Sequence, residues 1–121
     1  MNKTVLVIED HEDNRRIMHD LLTSKGYEVI EAVNGLEGVD AAESHRPDLI
    51  LLDIQLPGID GYEATRRIKA NPDLQKIPII VVTSYALSGD DMKAFEAGCD
   101  AYVAKPFSPR ELLAKIREYL P

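Results

Sequence analysis

Five short apolar runs alternate along this chain with segments whose apolar residues recur at helical spacing. The runs cover residues 5–8, 29–32, 49–52, 79–82 and 101–104. Apart from Glu31 in the second run, their apolar residues are consecutive, which is typical of strands buried on both faces of a parallel sheet. The charged Glu31 makes the second strand the expected edge of that sheet.

Helices are predicted between these runs, over residues 14–25, 35–45, 60–70 and 90–97, and from Ser108 onward. Gly26 follows the first helix as a stop signal. The last helix begins with Ser-Pro-Arg-Glu, a capping pattern with proline at the first helical position. The expected apolar stripes are Ile17, Met18, Leu21 and Leu22 in the first helix, and Leu112, Leu113, Ile116 and Leu120 in the last.

This strict alternation predicts a doubly wound α/β domain, in which helices cover both faces of one five-stranded parallel sheet. Right-handed crossovers restrict the possible topologies to a few. The chain has 121 residues, the length of one domain, with 45% apolar and 29% charged residues. We therefore expect a single domain over residues 1–121.

Composition argues against several classes of protein. The longest apolar runs have four residues, whereas a membrane span needs about 20, and a signal-peptide core is also longer. The single cysteine, Cys99, cannot form an internal disulfide, which indicates a reducing compartment such as the cytoplasm. Fourteen Lys and Arg residues against twenty-one Asp and Glu leave a net charge of −7, which would repel a nucleic-acid backbone.

Polar side chains follow four of the five predicted strands. Glu9 and Asp10 follow the first, Asp53 the third, Thr83 the fourth and Lys105 the fifth. Ligands of open α/β sheets bind beyond the carboxyl ends of the strands. We therefore expect three carboxylates, one hydroxyl and one amine to share one rim of the sheet.

Three carboxylates at one rim repel each other strongly, since two unit charges about 4 Å apart cost about 4 kcal/mol at an effective dielectric near 20. They either take up protons or bind a cation. Oxygen ligands without a nearby cluster of histidine or cysteine favour Mg²⁺ over Zn²⁺. His11 adjoins the acidic pair, but we expect it to be an exposed loop residue. With Thr83 and Lys105, the rim has the groups that a phosphoryl-transfer site needs.

Four motifs carry a resemblance to a known family. They are VLVIED at 5–10, PDLILLDIQLPGIDG at 47–61, IIVVT at 79–83 and YVAKP at 102–106. In order and spacing the chain resembles the receiver domain of two-component response regulators over essentially its whole length, and in particular the single-domain members of that family. The resemblance implies a sheet of strand order 2-1-3-4-5.

The resemblance also implies roles for individual residues. Asp53 matches the phosphoacceptor, which takes a phosphoryl group from a sensor histidine kinase or a histidine phosphotransfer protein. Glu9 and Asp10 match the acidic pair that positions Mg²⁺; Asp10 and Asp53 would be direct ligands, Glu9 would act through water, and the backbone carbonyl of Gln55 would be a further ligand. The protein would be a phosphorylation-dependent switch that promotes its own phosphorylation and dephosphorylation, and not a turnover enzyme.

Further residues match the switch of that family. Thr83 matches the switch hydroxyl, Lys105 the essential amine, and Tyr102 the aromatic side chain that changes rotamer on activation. The peptide bond before Pro106 is expected to be cis. The signal would leave through the fourth helix, fifth strand and fifth helix by contact with a downstream protein. Gln55 and Tyr85 match positions that influence the lifetime of the phosphoryl group.

Other readings remain open from the sequence. The chain could be a receiver excised from a larger regulator or hybrid kinase. An aspartate-nucleophile phosphatase also uses Asp, Mg²⁺, Lys and Thr, but it typically has a second acid where this chain has Gln55. A flavin-binding domain needs a phosphate-cradling loop after the first strand, and the acidic residues there argue against it. An interaction module that is never phosphorylated is disfavoured by the set of Asp53, Thr83 and Lys105.

Overall fold

The computed structural model describes residues 2–83 and 90–121, and within them strands and helices alternate along the chain. The elements are β1 (Thr4–Ile8), α1 (Glu12–Ser24), β2 (Glu28–Ala32), α2 (Gly35–His45), β3 (Leu49–Asp53), α3 (Gly61–Ala70), β4 (Ile79–Thr83), α4 (Asp90–Ala97), β5 (Ala101–Ala104) and α5 (Pro109–Tyr119). Each predicted element is present, and α1 differs most, beginning two residues before the predicted start at 14.

The five strands form one parallel sheet in the order β2-β1-β3-β4-β5. This confirms the predicted doubly wound fold and its strand order. β2 lies at one edge, so the exposed Glu31 occupies the position its charge predicted. β3 lies at the centre, with β1 and β4 on its two sides, and its last residue, Asp53, is therefore flanked by the ends of both.

Two hydrophobic cores lie on opposite faces of the sheet, which is why the strands are apolar at consecutive positions. One core includes Leu6, Ile8, Ile50, Leu52, Ile79 and Val81, with Ala42 of α2, Ala64 and Ile68 of α3, and Ala94 of α4. The other includes Val5, Val7, Leu49, Leu51, Ile80 and Val82, with Met18 and Leu22 of α1, and Leu112 and Ile116 of α5.

Three helices begin with the side-chain caps that their sequences suggest. The side chain of Asn34 accepts a hydrogen bond from the backbone N–H of Glu37 at 2.8 Å, and that of Asp60 accepts one from Glu63 at 2.9 Å. Ser108 accepts one from Glu111 at 3.1 Å, as the capping pattern predicted. These caps determine where α2, α3 and α5 begin.

One predicted core residue is not in the core. Ile17 was assigned to the apolar stripe of α1, but its side chain is 59% exposed, while Met18 and Leu22 are buried. Successive helical residues point about 100° apart, so a helix seated on Met18 and Leu22 turns Ile17 away from the sheet. Ile17 instead lines a cavity of about 530 Å³ beside Lys105 and Phe107.

The short helix α4 also turns large side chains outward. Met92 is 66% exposed and Phe95 47% exposed, whereas Ala94 and Ala97 are buried. Cys99, just after this helix, is buried, and burial raises the pKa of its thiol to about 11. Among the described residues, no helix combines the length and apolar character needed to cross a membrane.

Candidate functional site

The polar residues at the strand ends meet at one rim of the sheet, as predicted. Glu9 and Asp10 follow β1, Asp53 is the last residue of β3, Thr83 is the last of β4, and Lys105 follows β5. All five strands run parallel, so these ends point the same way. The rim therefore collects groups that are up to 96 residues apart in the chain.

Lys105 bridges two acids at the centre of the site. Its Nζ donates to Glu9 Oε1 and to Asp53 Oδ2, both at 3.2 Å. Its backbone N–H donates to the carbonyl of Thr83 at 2.7 Å, which holds the start of the loop against β4. The long side chain thus reaches from β5 past β4 to β3, as the strand order required.

The carboxylates form a compact cluster. One ligand atom from each of Glu9, Asp10, His11 and Asp53 lies within 4.8 Å of all the others. Opposite ligands of a six-coordinate Mg²⁺ lie about 4.2 Å apart, since each bond is about 2.1 Å. Asp10 Oδ1 is shielded from solvent and accepts no hydrogen bond among the described residues. The oxygen donors and this orphaned atom fit a hard divalent cation.

Burial and charge act together on the two innermost groups. Burial raises the pKa of Glu9, which is fully buried, and the neighbouring Asp53 raises it further. Burial opposes the charged form of Lys105, but the charges of Asp53 and Glu9 outweigh it and raise the pKa of its amine. Lys105 is therefore charged at neutral pH, and a proton on Glu9 competes with a bound cation.

The structure adds Arg15 of α1, a residue that the sequence analysis did not single out. Its Nη1 donates to the carbonyl of Glu9 at 3.0 Å and lies 3.5 Å from that of Asp10. Its Nε pairs with Glu31 Oε1 at 3.2 Å. Arg15 therefore ties the acidic loop to the edge strand β2. A basic residue about one helical turn after an acidic pair is a weak sequence signal of such a contact.

Gly61 is a second residue that the sequence patterns did not connect with the site. A Cβ at this position would lie 2.6 Å from the carbonyl oxygen of Asp53 and 2.6 Å from Ile54 Cα. Its backbone N–H donates to the carbonyl of Ile54 at 2.9 Å. The first turn of α3 therefore packs directly against the backbone that carries Asp53.

The remaining predicted residues have varied surroundings. Gln55 is exposed, and its backbone N–H donates to Asp53 Oδ1 at 3.2 Å. Thr83 is buried at the end of β4, and the bond between Lys105 and Pro106 is cis, as predicted. Tyr102 is half-buried, and its ring packs edge-on against Phe95, with centroids 5.9 Å apart. Tyr85 lies outside the described residues.

Fold and site together define a class of protein. The family model of the response regulator receiver domain matches residues 5–117, and the chain belongs to this family. It is a signalling domain of response regulators, a class that receives phosphoryl groups from kinases or phosphotransfer proteins and acts on downstream targets.

Individual proteins of this family are similar to the chain over nearly its whole length. The polar-differentiation response regulator DivK of Brucella anthropi is 45% identical over 120 residues, which cover 99% of this chain and 98% of the relative. A receiver domain of a sensor histidine kinase from Pseudomonas aeruginosa PAO1, with a magnesium ion in its active site cleft, is 38% identical, with a TM-score of 0.93 and coverage of 99% and 98%. The chemotaxis response regulator CheY4 of Vibrio cholerae is 25% identical, with a TM-score of 0.93 and coverage of 98% and 99%.

Proposed function

We propose that Asp53 is the phosphoacceptor of this receiver domain and that Mg²⁺ is its cofactor. The observation that supports this most directly is the placement of Asp53, 5% exposed at the centre of the rim, with the ammonium of Lys105 3.2 Å from one of its oxygens. The donor is a phosphohistidine of a sensor histidine kinase or of a histidine phosphotransfer protein.

The domain comprises residues 1–121, and the unpaired thiol of Cys99 supports a reducing compartment, the cytoplasm.

The carboxylates of Asp10 and Asp53, the carbonyl of Gln55 and, through water, Glu9 would hold Mg²⁺. When bound, this ion offsets the negative charge of the phosphoryl group in transfer. Lys105 supplies a second positive charge, 3.2 Å from Asp53 Oδ2. Most of the catalysis is then positioning of charges that the fold has already brought together.

The transfer itself involves few bonds. A carboxylate oxygen of Asp53 attacks the phosphorus, the new P–O bond forms, and the P–N bond to the donor imidazole breaks. The electron pair of that bond stays with the imidazole nitrogen. Lys105 stays protonated and holds a phosphoryl oxygen. Water later attacks the phosphorus, the P–O bond to Asp53 breaks, and inorganic phosphate leaves. We assign promotion of this dephosphorylation to the domain itself.

Phosphorylation adds charge and acceptor oxygens at the end of β3. Thr83, at the end of the adjacent β4, donates its hydroxyl to a phosphoryl oxygen. Tyr102, in the next strand, then changes its contact with Phe95, and the surface of α4, β5 and α5 changes with it. The exposed Met92 and Phe95 give this surface the apolar side chains that a downstream protein can bind. We assign target binding to this face.

The test is phosphorylation by acetyl phosphate with Mg²⁺, followed by intact mass spectrometry. The wild-type protein is expected to gain the mass of one phosphoryl group, and Asp53→Asn is expected to gain none, because its amide is a poor nucleophile. Asp73→Asn is the matched control, since Asp73 is an exposed carboxylate that pairs only with Arg46 among the described residues.

Three outcomes would contradict the assignment. Phosphorylation of Asp53→Asn at another residue would move the acceptor elsewhere in the chain. A wild-type protein that gains no mass, although it is folded and Mg²⁺ is present, would favour an interaction module that is never phosphorylated. Repeated turnover of a small phosphate ester would instead favour a phosphatase.

A further inference from the structure

A histidine lies among the acids of the site. Nδ1 of His11 is 3.3 Å from Asp10 Oδ1 and 3.6 Å from Glu9 Oε2. Neighbouring ligands of a six-coordinate ion with bonds of about 2.1 Å lie about 3 Å apart. The imidazole nitrogen is therefore almost at the spacing of a ligand beside the two carboxylates.

The chain holds His11 in this position through its backbone. His11 is the N-cap residue of α1, and its backbone N–H donates to Glu9 Oε2 at 3.3 Å. Its side chain is 68% exposed. An imidazole with this exposure can reorient by a few tenths of an ångström at little cost.

Imidazole nitrogen changes which metal a site prefers. Mg²⁺ is a hard ion that takes oxygen ligands, while the affinity of sites with nitrogen ligands rises from Mn²⁺ through Co²⁺ and Ni²⁺ to Cu²⁺. The three histidines of the chain are scattered in the sequence, so no histidine cluster predicts a nitrogen ligand here. One histidine joined to three carboxylates makes a mixed nitrogen and oxygen site.

We propose that the site binds late first-row divalent metal ions in competition with Mg²⁺, and that His11 is the nitrogen ligand that confers this preference. The inference rests on the proposed function, because Asp10 and Asp53 are the shared ligands. The metal ion that occupies the site would then depend on which divalent ions are present.

The experiment is a calorimetric titration of the full chain with Ni²⁺ and, separately, with Mg²⁺, at about pH 8 because a ligating histidine must be neutral. Wild type, His11→Ala and His45→Ala are compared. His45 is the last residue of α2, is exposed and lies outside the cluster, so its variant removes a surface imidazole without touching the site. Circular dichroism establishes that each variant is folded.

Ni²⁺ is expected to bind wild type more tightly than Mg²⁺. His11→Ala should lose about tenfold or more in Ni²⁺ affinity, a scale seen even when only an outer partner of a metal ligand is removed. Its Mg²⁺ affinity should change by less than about twofold, since oxygen ligands dominate that site. His45→Ala should behave as wild type with both ions.

Equal Ni²⁺ affinities of His11→Ala and wild type would overturn the inference, and so would an equal loss in His45→Ala. Both results leave the proposed function standing as long as His11→Ala is still phosphorylated by acetyl phosphate with Mg²⁺. A wild-type protein that binds neither ion and takes up no phosphoryl group would overturn the proposed function itself.

Discussion

Charge balance at the site is a property of a few residues. Glu9, Asp10 and Asp53 carry three negative charges when ionised, and Lys105 contributes one positive charge, which leaves two negative charges. A divalent cation compensates these two negative charges. Ion pairs at the molecular surface contribute little, because solvent screens them. This is the physical reason why the site is expected to bind a metal ion before it accepts a phosphoryl group.

Gly61 provides a test at the scale of one methyl group. Gly61→Ala places a Cβ against the backbone of Asp53 and Ile54, so α3 or the end of β3 must shift. We expect the free energy of unfolding to fall by about 1–3 kcal/mol. We also expect slower phosphorylation by acetyl phosphate. Urea denaturation and the time course of the mass gain measure the two effects.

Gly26→Ala is the control for Gly61→Ala, because it introduces backbone strain without steric overlap. Gly26 has a φ of +88° with open space around it, far from the site. Its substitution should cost about 1 kcal/mol of stability through the left-handed conformation and leave the phosphorylation rate unchanged. Equal rates for Gly61→Ala and wild type would show that the close contact of α3 does not position Asp53.

At the scale of elements, a second cluster holds the end of the sheet opposite the site. Nζ of Lys69, in α3, donates to the carbonyls of Gln75 and Ile77 at 3.0 and 2.9 Å and to Asp100 Oδ2 at 3.0 Å. Asp100 Oδ2 also accepts from the backbone N–H of Ile79 at 2.8 Å. One amine thus joins α3, the connection to β4 and the start of β5.

Lys69→Met should destabilise the fold, because it removes a largely buried amine, 16% exposed, that donates to two carbonyls and to Asp100. Asp100 retains the backbone N–H of Ile79. We expect a loss of about 2 kcal/mol in the free energy of unfolding. Arg46→Met is the matched control: its pair with Asp73 spans 3.4 Å, both side chains are 64% exposed, and its loss should cost about 0.5 kcal/mol or less. Urea denaturation of both variants gives the comparison, and equal losses would contradict the special role of Lys69.

At the scale of the whole molecule, the sheet places the site and the proposed output face on neighbouring strands. Asp53 pairs with Val82 in β4, and Thr83 pairs with Ala104 in β5. Tyr102 lies two residues before Ala104, at the surface beside Phe95 of α4. A change at Asp53, the proposed phosphoacceptor, would therefore cross only two strand spacings before it reached α4 and α5.

Beryllofluoride with Mg²⁺, a mimic of the phosphoryl group, tests this route. Amide resonances of β4, β5 and α5 should shift in a heteronuclear correlation spectrum, while those around Lys69 and Asp100 should stay in place. Thr83→Ala should still bind the mimic but transmit smaller shifts to Tyr102 and Phe95, because the linking hydroxyl is absent. Asp53→Asn should show no shifts. Shifts of equal size at Lys69 and Tyr102 would argue against a directed route.

Much of the fold and of the site could be predicted from local sequence patterns. Consecutive apolar residues distinguish two-faced strands, capping residues mark helix starts, and parallel strands place Glu9, Asp10, Asp53, Thr83 and Lys105 at one rim. These features could be predicted because each depends on a few neighbouring residues and on the rule that parallel strands end at the same edge.

Other features depended on how the helices are seated on the sheet. The orientation of α1 turns Ile17 to solvent, brings Arg15 to the carbonyl of Glu9 and sets His11 beside Asp10. Gly61 gains its role only because α3 packs against the backbone of Asp53. No local pattern contains the rotation of a helix about its own axis or its distance from a strand. The amino-acid sequence alone therefore determined which chemical groups reach the rim, and tertiary packing decided which further side chains join them.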